Sequence, residues 1–291
     1  MRLETRKYLQ DIRAAADLIT TFSAHAVKLP DYQTLTLDWR GEHVLIVTLN
    51  RPAVLNALNT QMGRDQLDLW TRITAKRGKL RCAVLTGAGG RAFCAGGDLK
   101  ERDGMSEEAW RAQHDIFEHA FMALVECPVP VIAAVNGHAF GGGLEMALCC
   151  DFIYAASSAR FALSEVSLGI MPGGMGTQNL PRAVGERRAK ELILTARPFS
   201  AQEGLDWGLV NRICEPEKLL EEALATAQAI AANAPLAVRQ AKKSIHYGLA
   251  MDLLSGYRFE IETYNRLVDT ADRREGVRAF NEKRKPRFEG K

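Results

Sequence analysis

From residue 34 to residue 49 the chain alternates apolar and polar positions and is rich in Thr, Val, Leu and Ile. That period-two pattern predicts strands, and Arg40-Gly41-Glu42 interrupts it, giving two strands joined by a turn. Apolar residues next recur at helical spacing over 58–74. Short continuous apolar runs at 81–86 and 131–135 predict buried strands, each followed by a glycine-rich stretch. Ser106 with Glu107 and Glu108 predicts a helix start, and Pro128 limits that helix to about Glu126. A helix over 143–149, strands over 152–155 and 160–163, and helices over 186–196 and 201–207 follow. Ser200-Ala201-Gln202-Glu203 reads as a capping box for the last of these, and Asp272-Arg273-Arg274-Glu275 repeats the pattern for the final helix. Residues 1–30 also read as helical, with Leu9, Ile12, Ala16 and Ile19 on one face and Pro30 at the end.

Strands alternate with helices to about residue 215, and the chain beyond Pro216 is almost wholly helical. This predicts an α/β fold: an N-terminal helical extension (1–30), a core with parallel strands (31–215) and a C-terminal helical region (216–291). The 291 residues are 47% hydrophobic and 25% charged, as in an ordinary globular chain. A net charge of +3 is too small to argue for nucleic acid. Basic residues do cluster in Lys76-Arg77-Gly78-Lys79-Leu80-Arg81 and Lys283-Arg284-Lys285-Pro286-Arg287. The first cluster reads as solvated surface, and the second equally as surface or as a site for a phosphorylated ligand. The six cysteines sit mostly in apolar runs with no C-x-x-C pair, which suits core thiols in a reducing compartment. There is no apolar run of about 18 residues to span a membrane. Glu4, Asp11 and Asp17 are unlike a transit peptide. The expected location is cytoplasmic, with no membrane partner.

The chemistry concentrates in two glycine-rich loops and two acids. Gly141-Gly142-Gly143 lies between a strand and a helix, where uncovered backbone N–H groups and a helix N-terminus can meet a developing negative charge. Glu145 stands in an otherwise apolar helix, so burial would raise its pKa toward neutrality. Glu165 lies 20 residues further on. Each acid taken alone also reads as a structural ion-pair partner. Ala95-Gly96-Gly97-Asp98 forms the second loop, although spacing alone does not bring it to the first. Gly87-Ala88-Gly89-Gly90-Arg91-Ala92 fits a dinucleotide fingerprint only loosely, with more glycines where a helix should open. His114 and His119 lack metal-ligand spacing, and no metal site is expected.

Several motifs in order resemble the crotonase, or enoyl-CoA hydratase/isomerase, superfamily: Asn50-Arg51-Pro52 with Asn56-Ala57-Leu58-Asn59, Arg91 to Glu101, Pro130 to Gly137, Gly141 to Glu145, Gly169 to Gly174, Ser200 to Glu203, Gly208-Leu209-Val210 and Asp272 to Gly276. The resemblance implies a spiral of ββα repeats with a C-terminal helical trimerisation region, a homotrimer or dimer of trimers, and acyl-CoA substrates. It implies no cofactor besides the coenzyme A that is part of the substrate. By position, Ala95 and Gly142 match the family's two oxyanion-hole N–H donors. Ala53, Val54 and Ala57 in one loop, and Ala95, Gly96, Gly97, Asp98 and Leu99 in another, would hold the CoA, joined late in the chain by Phe280 and Lys283. Glu145 would activate a water, Glu165 would protonate Cα, and the N–H of Gly173 would fix the water. The implied reaction is hydration of a 2-enoyl-CoA to a 3-hydroxyacyl-CoA. An enoyl-CoA isomerase, or a hydratase-lyase on a branched or aromatic acyl-CoA, is the alternative. Met175 and Asn179 depart from the usual glycine and arginine, and Met175 is expected to narrow or reshape the acyl pocket.

Overall fold

The computed structural model describes residues 29–291. The helix expected over residues 1–30 lies outside the described residues, apart from its last two positions. The first described strands are β1 (Leu35–Arg40) and β2 (Val44–Leu49), antiparallel with Leu35 opposite Leu49. Helix α1 (Thr60–Ala75) follows, its first turn capped by Asn59, whose side chain accepts from the N–H of Met62. Next come β3 (Cys82–Gly87), β4 (Ala92–Cys94), the single turn α2 (Leu99–Arg102) and α3 (Glu107–Val125), which Ser106 caps as expected. β5 (Val131–Val135), β6 (His138–Phe140) and α4 (Gly142–Cys149) form a second turn of chain. β7 (Phe152–Ala156), β8 (Arg160–Ala162), a 3-10 turn at Glu165–Leu168, α5 (Gly176–Val184) and α6 (Glu186–Thr195) form a third. β9 (Phe199–Ser200), α7 (Ala201–Asp206) and β10 (Arg212–Cys214) precede the helices α8 (Leu219–Ala231), α9 (Pro235–Gly248), α10 (Leu253–Val268) and α11 (Ala271–Asn281).

Two sheets result. The larger has the order β1-β2-β3-β5-β7-β10 and is parallel from β2 onward; the smaller has the order β4-β6-β8-β9. β1 and β2 both lie in the larger sheet; from β3 to β8 each repeat gives one strand to each sheet before its helices, which is the expected ββα spiral. The apolar runs of β3 and β5 follow from their position: α8 packs on both, and β4 of the small sheet packs on them as well, so every residue of β5 is buried. The change near residue 215 is one of element type, since α8 still belongs to the packing of the large sheet.

The Ser200–Glu203 capping box is present, with both reciprocal hydrogen bonds. The one expected at Asp272–Glu275 is not. Thr270 caps α11, accepting from the N–H of Arg273. The buried Asp272 carboxylate instead accepts from the N–H groups of Glu289 and Gly290, tying down the C-terminal tail.

Candidate active site

The two glycine loops meet because two glycines allow close approach. A Cβ on Gly143 would lie 2.1 Å from the carbonyl oxygen of Cys94, so only glycine lets the first turn of α4 settle on β4. Gly96 adopts φ +93°, and a Cβ there would lie 2.8 Å from the carbonyl oxygen of Phe140. Together these contacts bring residues 95–97 beside residues 140–142. Both loops line one cavity of about 670 Å³, whose wall also includes Glu145, Glu165 and Gly173.

The free N–H groups in this cavity are not quite those expected. Ala95 donates its N–H to the carbonyl of Leu55 at 3.0 Å, so that amide is not available to a ligand. Two residues on, the pattern reverses. Leu58 donates to Gly96, and Asp98 donates to Leu58, forming a short parallel bridge centred on Gly97. A residue at the centre of such a bridge turns its own N–H away from the paired strand. The N–H of Gly97 has no partner among the described residues, and neither has that of Gly142 at the start of α4. Of the two expected donors, Gly142 keeps a free N–H and Ala95 does not, while Gly97 in the same loop as Ala95 has one.

The carboxyls share the cavity in different circumstances. Glu145, in the first turn of α4, is 4% exposed, and its Oε1 accepts from the N–H groups of Gly174 at 2.7 Å and Gly176 at 2.8 Å. Burial and the neighbouring Glu165 charge push its pKa up to about 7, while the two amides pull the other way. Glu165 opens the 3-10 turn, and both of its carboxyl oxygens are buried without a hydrogen-bond partner. Burial raises its pKa as well. Gly173 lines the cavity with His114 packed over it; the amides that hold Glu145 come from the next residue, Gly174, and from Gly176.

Of the residues expected to hold CoA, Ala95, Gly96, Gly97 and Leu99 line the cavity. The Asp98 carboxylate is engaged elsewhere: it pairs with Arg51 at 2.9 Å and caps α2 through the N–H of Glu101. Ala53, Val54 and Ala57 lie in the adjoining loop, which the Leu58–Gly97 bridge ties to the cavity rim. Phe280, 84% exposed, and Lys283 lie at the end of α11, outside the cavity lining.

Met175 is not among the residues that line the cavity. It sits at the N-cap of α5 in the left-handed region, with φ +74°, and its side chain packs against the core. Asn179 donates to the carbonyl of Leu148 and to Cys149 Sγ. All six thiols are buried, and burial lifts Cys94 to about 12, in keeping with a filler rather than a nucleophile. The first basic cluster is partly consumed by structure: Lys79 pairs with Glu42, and Arg81 donates to the carbonyls of Ala231 and Phe288. No helix among the described residues is long and apolar enough to cross a membrane.

Sequence reasoning did not single out Arg102, Trp110 or Phe121, all of which line the cavity. Trp110 and Phe121 share the α3 face that also carries His114 and Phe117, a spacing visible in the sequence. Nothing in the sequence marks Arg102 as inward-facing.

The family model for enoyl-CoA hydratase/isomerase matches residues 40–291. The short-chain-enoyl-CoA hydratase of Clostridium acetobutylicum is 41% identical over 255 residues, which span 88% of this chain and 97% of that relative. The (E)-benzylidenesuccinyl-CoA hydratase of Thauera aromatica is 40% identical over 254 residues, spanning 86% and 97%. The crystal structure of an enoyl-CoA hydratase from Bacillus anthracis superposes with a TM-score of 0.87 at 44% identity, covering 89% of this chain and 100% of that one. With the family model matching most of its length, this chain belongs to the enoyl-CoA hydratase/isomerase family and is an enzyme of that family.

Proposed function

We propose that this enzyme is a hydro-lyase that adds water across the double bond of a 2-enoyl-CoA to give a 3-hydroxyacyl-CoA. The observation that carries the reading is the unequal pair of buried carboxyls: Glu145 holds two amide donors and Glu165 holds none. Two carboxyls that interact in a low-dielectric cavity keep one proton between them at neutral pH. Burial and an ionised Glu165 put the shared proton on Glu145, lifting that group to about 7. The two amide donors favour the charged form of Glu145, so in the reactive form the negative charge is on Glu145 and the proton on Glu165.

In this reading the N–H groups of Gly97 and Gly142 grip the thioester oxygen, and α4 adds its N-terminal dipole. Each such donor contributes about 3 kcal/mol to a developing oxyanion. The Glu145 carboxylate takes a proton from a water positioned with help from the Gly173 N–H, and the water oxygen bonds to Cβ. The electron pair of the double bond moves onto the thioester as an enolate. Glu165 then gives its proton to Cα, and proton exchange with solvent restores the pair. An isomerase needs a single base to carry one proton between carbons; two carboxyls around one cavity support hydration instead.

The CoA would run past the loop containing Ala53, Val54 and Ala57, with Phe280 and Lys283 as outer contacts. Exposed apolar side chains, among them Leu249 at 81% and Leu253 at 86%, support assembly as a homotrimer or dimer of trimers through α9 and α10. The six buried thiols support a reducing, cytoplasmic setting. The test is product analysis with crotonyl-CoA and with a 3-enoyl-CoA. Formation of 3-hydroxybutyryl-CoA from the first supports the reading. Conversion of the second to a 2-enoyl-CoA, with no hydration of the first, rejects it.

A further inference from the structure

One charged side chain in the cavity has no part in the chemistry above. Arg102, at the end of α2, is half-buried and lines the same cavity as Glu145 and Glu165. Its guanidinium is held in place. Nε donates to the side-chain carbonyl of Gln113 at 2.8 Å, and the group lies 4.4 Å from the centre of the Trp110 ring and 5.7 Å from that of Phe117. Gln113 is 2% exposed and is itself fixed, donating through Nε2 to Thr60 Oγ1 and to Glu101 Oε2, each at 2.8 Å.

The network orients the guanidinium without neutralising it. Arg102 forms no ion pair among the described residues. The acid that bears on it is Glu101, whose Oε2 is taken by the N–H of Thr60 and by Gln113. Burial lowers the Arg102 pKa, the mark of a cation stripped of water without full compensation. An arginine remains charged under these conditions, and its planar fork of donors fits a carboxylate. The Nη1 atom lies 3.1 Å from where a Cβ on Gly97 would stand, so the unpaired end of the fork is at the cavity wall.

Its place along α3 relative to the acids bears on the size of the group it would meet. Phe121 packs where Gly174 and Glu145 meet, and Phe117, beside the guanidinium, is one helical turn away, about 6 Å along α3. That separation suits a group only a few bonds beyond the double bond.

We infer that Arg102 is a specificity-determining residue that receives a carboxylate carried by the acyl chain, so that the preferred substrates are CoA monothioesters of short unsaturated dicarboxylic acids. The inference rests on the hydratase reading, because the acyl chain is positioned by the carboxyls that reading uses.

Binding and turnover separate the two claims. Glutaryl-CoA and pentanoyl-CoA differ by a terminal carboxylate and cannot be hydrated, so calorimetric titration of the full-length enzyme reads recognition alone. Glutaconyl-CoA and 2-pentenoyl-CoA are the matching turnover pair. The wild type is expected to bind glutaryl-CoA at least about tenfold more tightly than pentanoyl-CoA, and Arg102→Gln to erase about 10- to 100-fold of that preference. The ratio of kcat/KM for glutaconyl-CoA to that for 2-pentenoyl-CoA moves in parallel. Arg102→Lys, which keeps the charge and the apolar stem, retains part of the preference and serves as the folded variant if the glutamine enzyme is unstable. Equal binding of the two esters by the wild type overturns the inference. So does an equal loss for both esters in Arg102→Gln, which would instead put the guanidinium on the thioester or the CoA. If neither enoyl ester is hydrated while binding still follows Arg102, the hydratase reading falls and the carboxylate subsite stands.

Discussion

The charge on Glu165 bears directly on Glu145: after burial, it is the next largest reason that the Glu145 pKa rises to about 7. The two side chains lie 20 residues apart in sequence, on α4 and on the 3-10 turn after β8. If they divide acid and base work, removing the proton carried by Glu165 stops the reaction without emptying the cavity. Glu165→Gln is expected to lower kcat on crotonyl-CoA by about 10³. KM should stay within about threefold, because the oxyanion donors and CoA contacts remain. Steady-state kinetics on the purified variant check this, and near-normal turnover would remove Glu165 from the mechanism.

The same pair makes stability depend on pH in a defined direction. Both carboxyls titrate higher in the folded chain than in the unfolded one, where a glutamate titrates near about 4.3. The folded state therefore retains protons that the unfolded state has released. This contribution is fully present below the unfolded value and is lost as pH rises through the folded values, which for Glu145 means through about 7. Glu165→Gln cannot ionise and also relieves Glu145. Its melting temperature relative to wild type should rise between about pH 5 and about pH 8. Thermal melts across that range decide it, and parallel curves would show that the pair carries no such linkage.

The meeting of the two loops depends on Gly143. A Cβ there has the Cys94 backbone at 2.1 Å, an atom that cannot swing aside, whereas one on Gly90 meets nothing within 4 Å. Gly143→Ala is expected to cost about 3 kcal/mol or more, and Gly90→Ala less than about 0.5 kcal/mol. Urea unfolding of both variants provides the comparison; equal stabilities would mean that the α4–β4 contact is looser than described.

Much of this arrangement is legible in the chain, and the illegible parts have physical causes. The capped elements are plain: Ser106 opens the long α3, where period and cap coincide, and the Ser200–Glu203 box opens the short α7, as the sequence indicates. β4 and β6 are three residues each, too short to show a period, and they merge with the glycine-rich stretches. Asp272 imitates a cap because its neighbours do; its carboxylate is claimed by the tail at Glu289 and Gly290, a contact set by tertiary packing. The spent N–H of Ala95 and the free one of Gly97 have the same kind of origin. Both residues sit in one small-residue loop, and only pairing with Leu55 and Leu58 determines which N–H is spent and which is free. Arg102 reads as one more surface charge until Gln113 and Trp110 are seen to hold it inward.

The central claim is that one water is divided between Cβ and Cα by the carboxyls of Glu145 and Glu165. Incubating the enzyme with crotonyl-CoA in water enriched in oxygen-18 and deuterium, followed by mass spectrometry of the product, tests it most directly. The expected product is 3-hydroxybutyryl-CoA with one heavy oxygen on C3 and one deuteron on C2. An isomerised enoyl-CoA, or recovered substrate carrying neither label, would contradict the account.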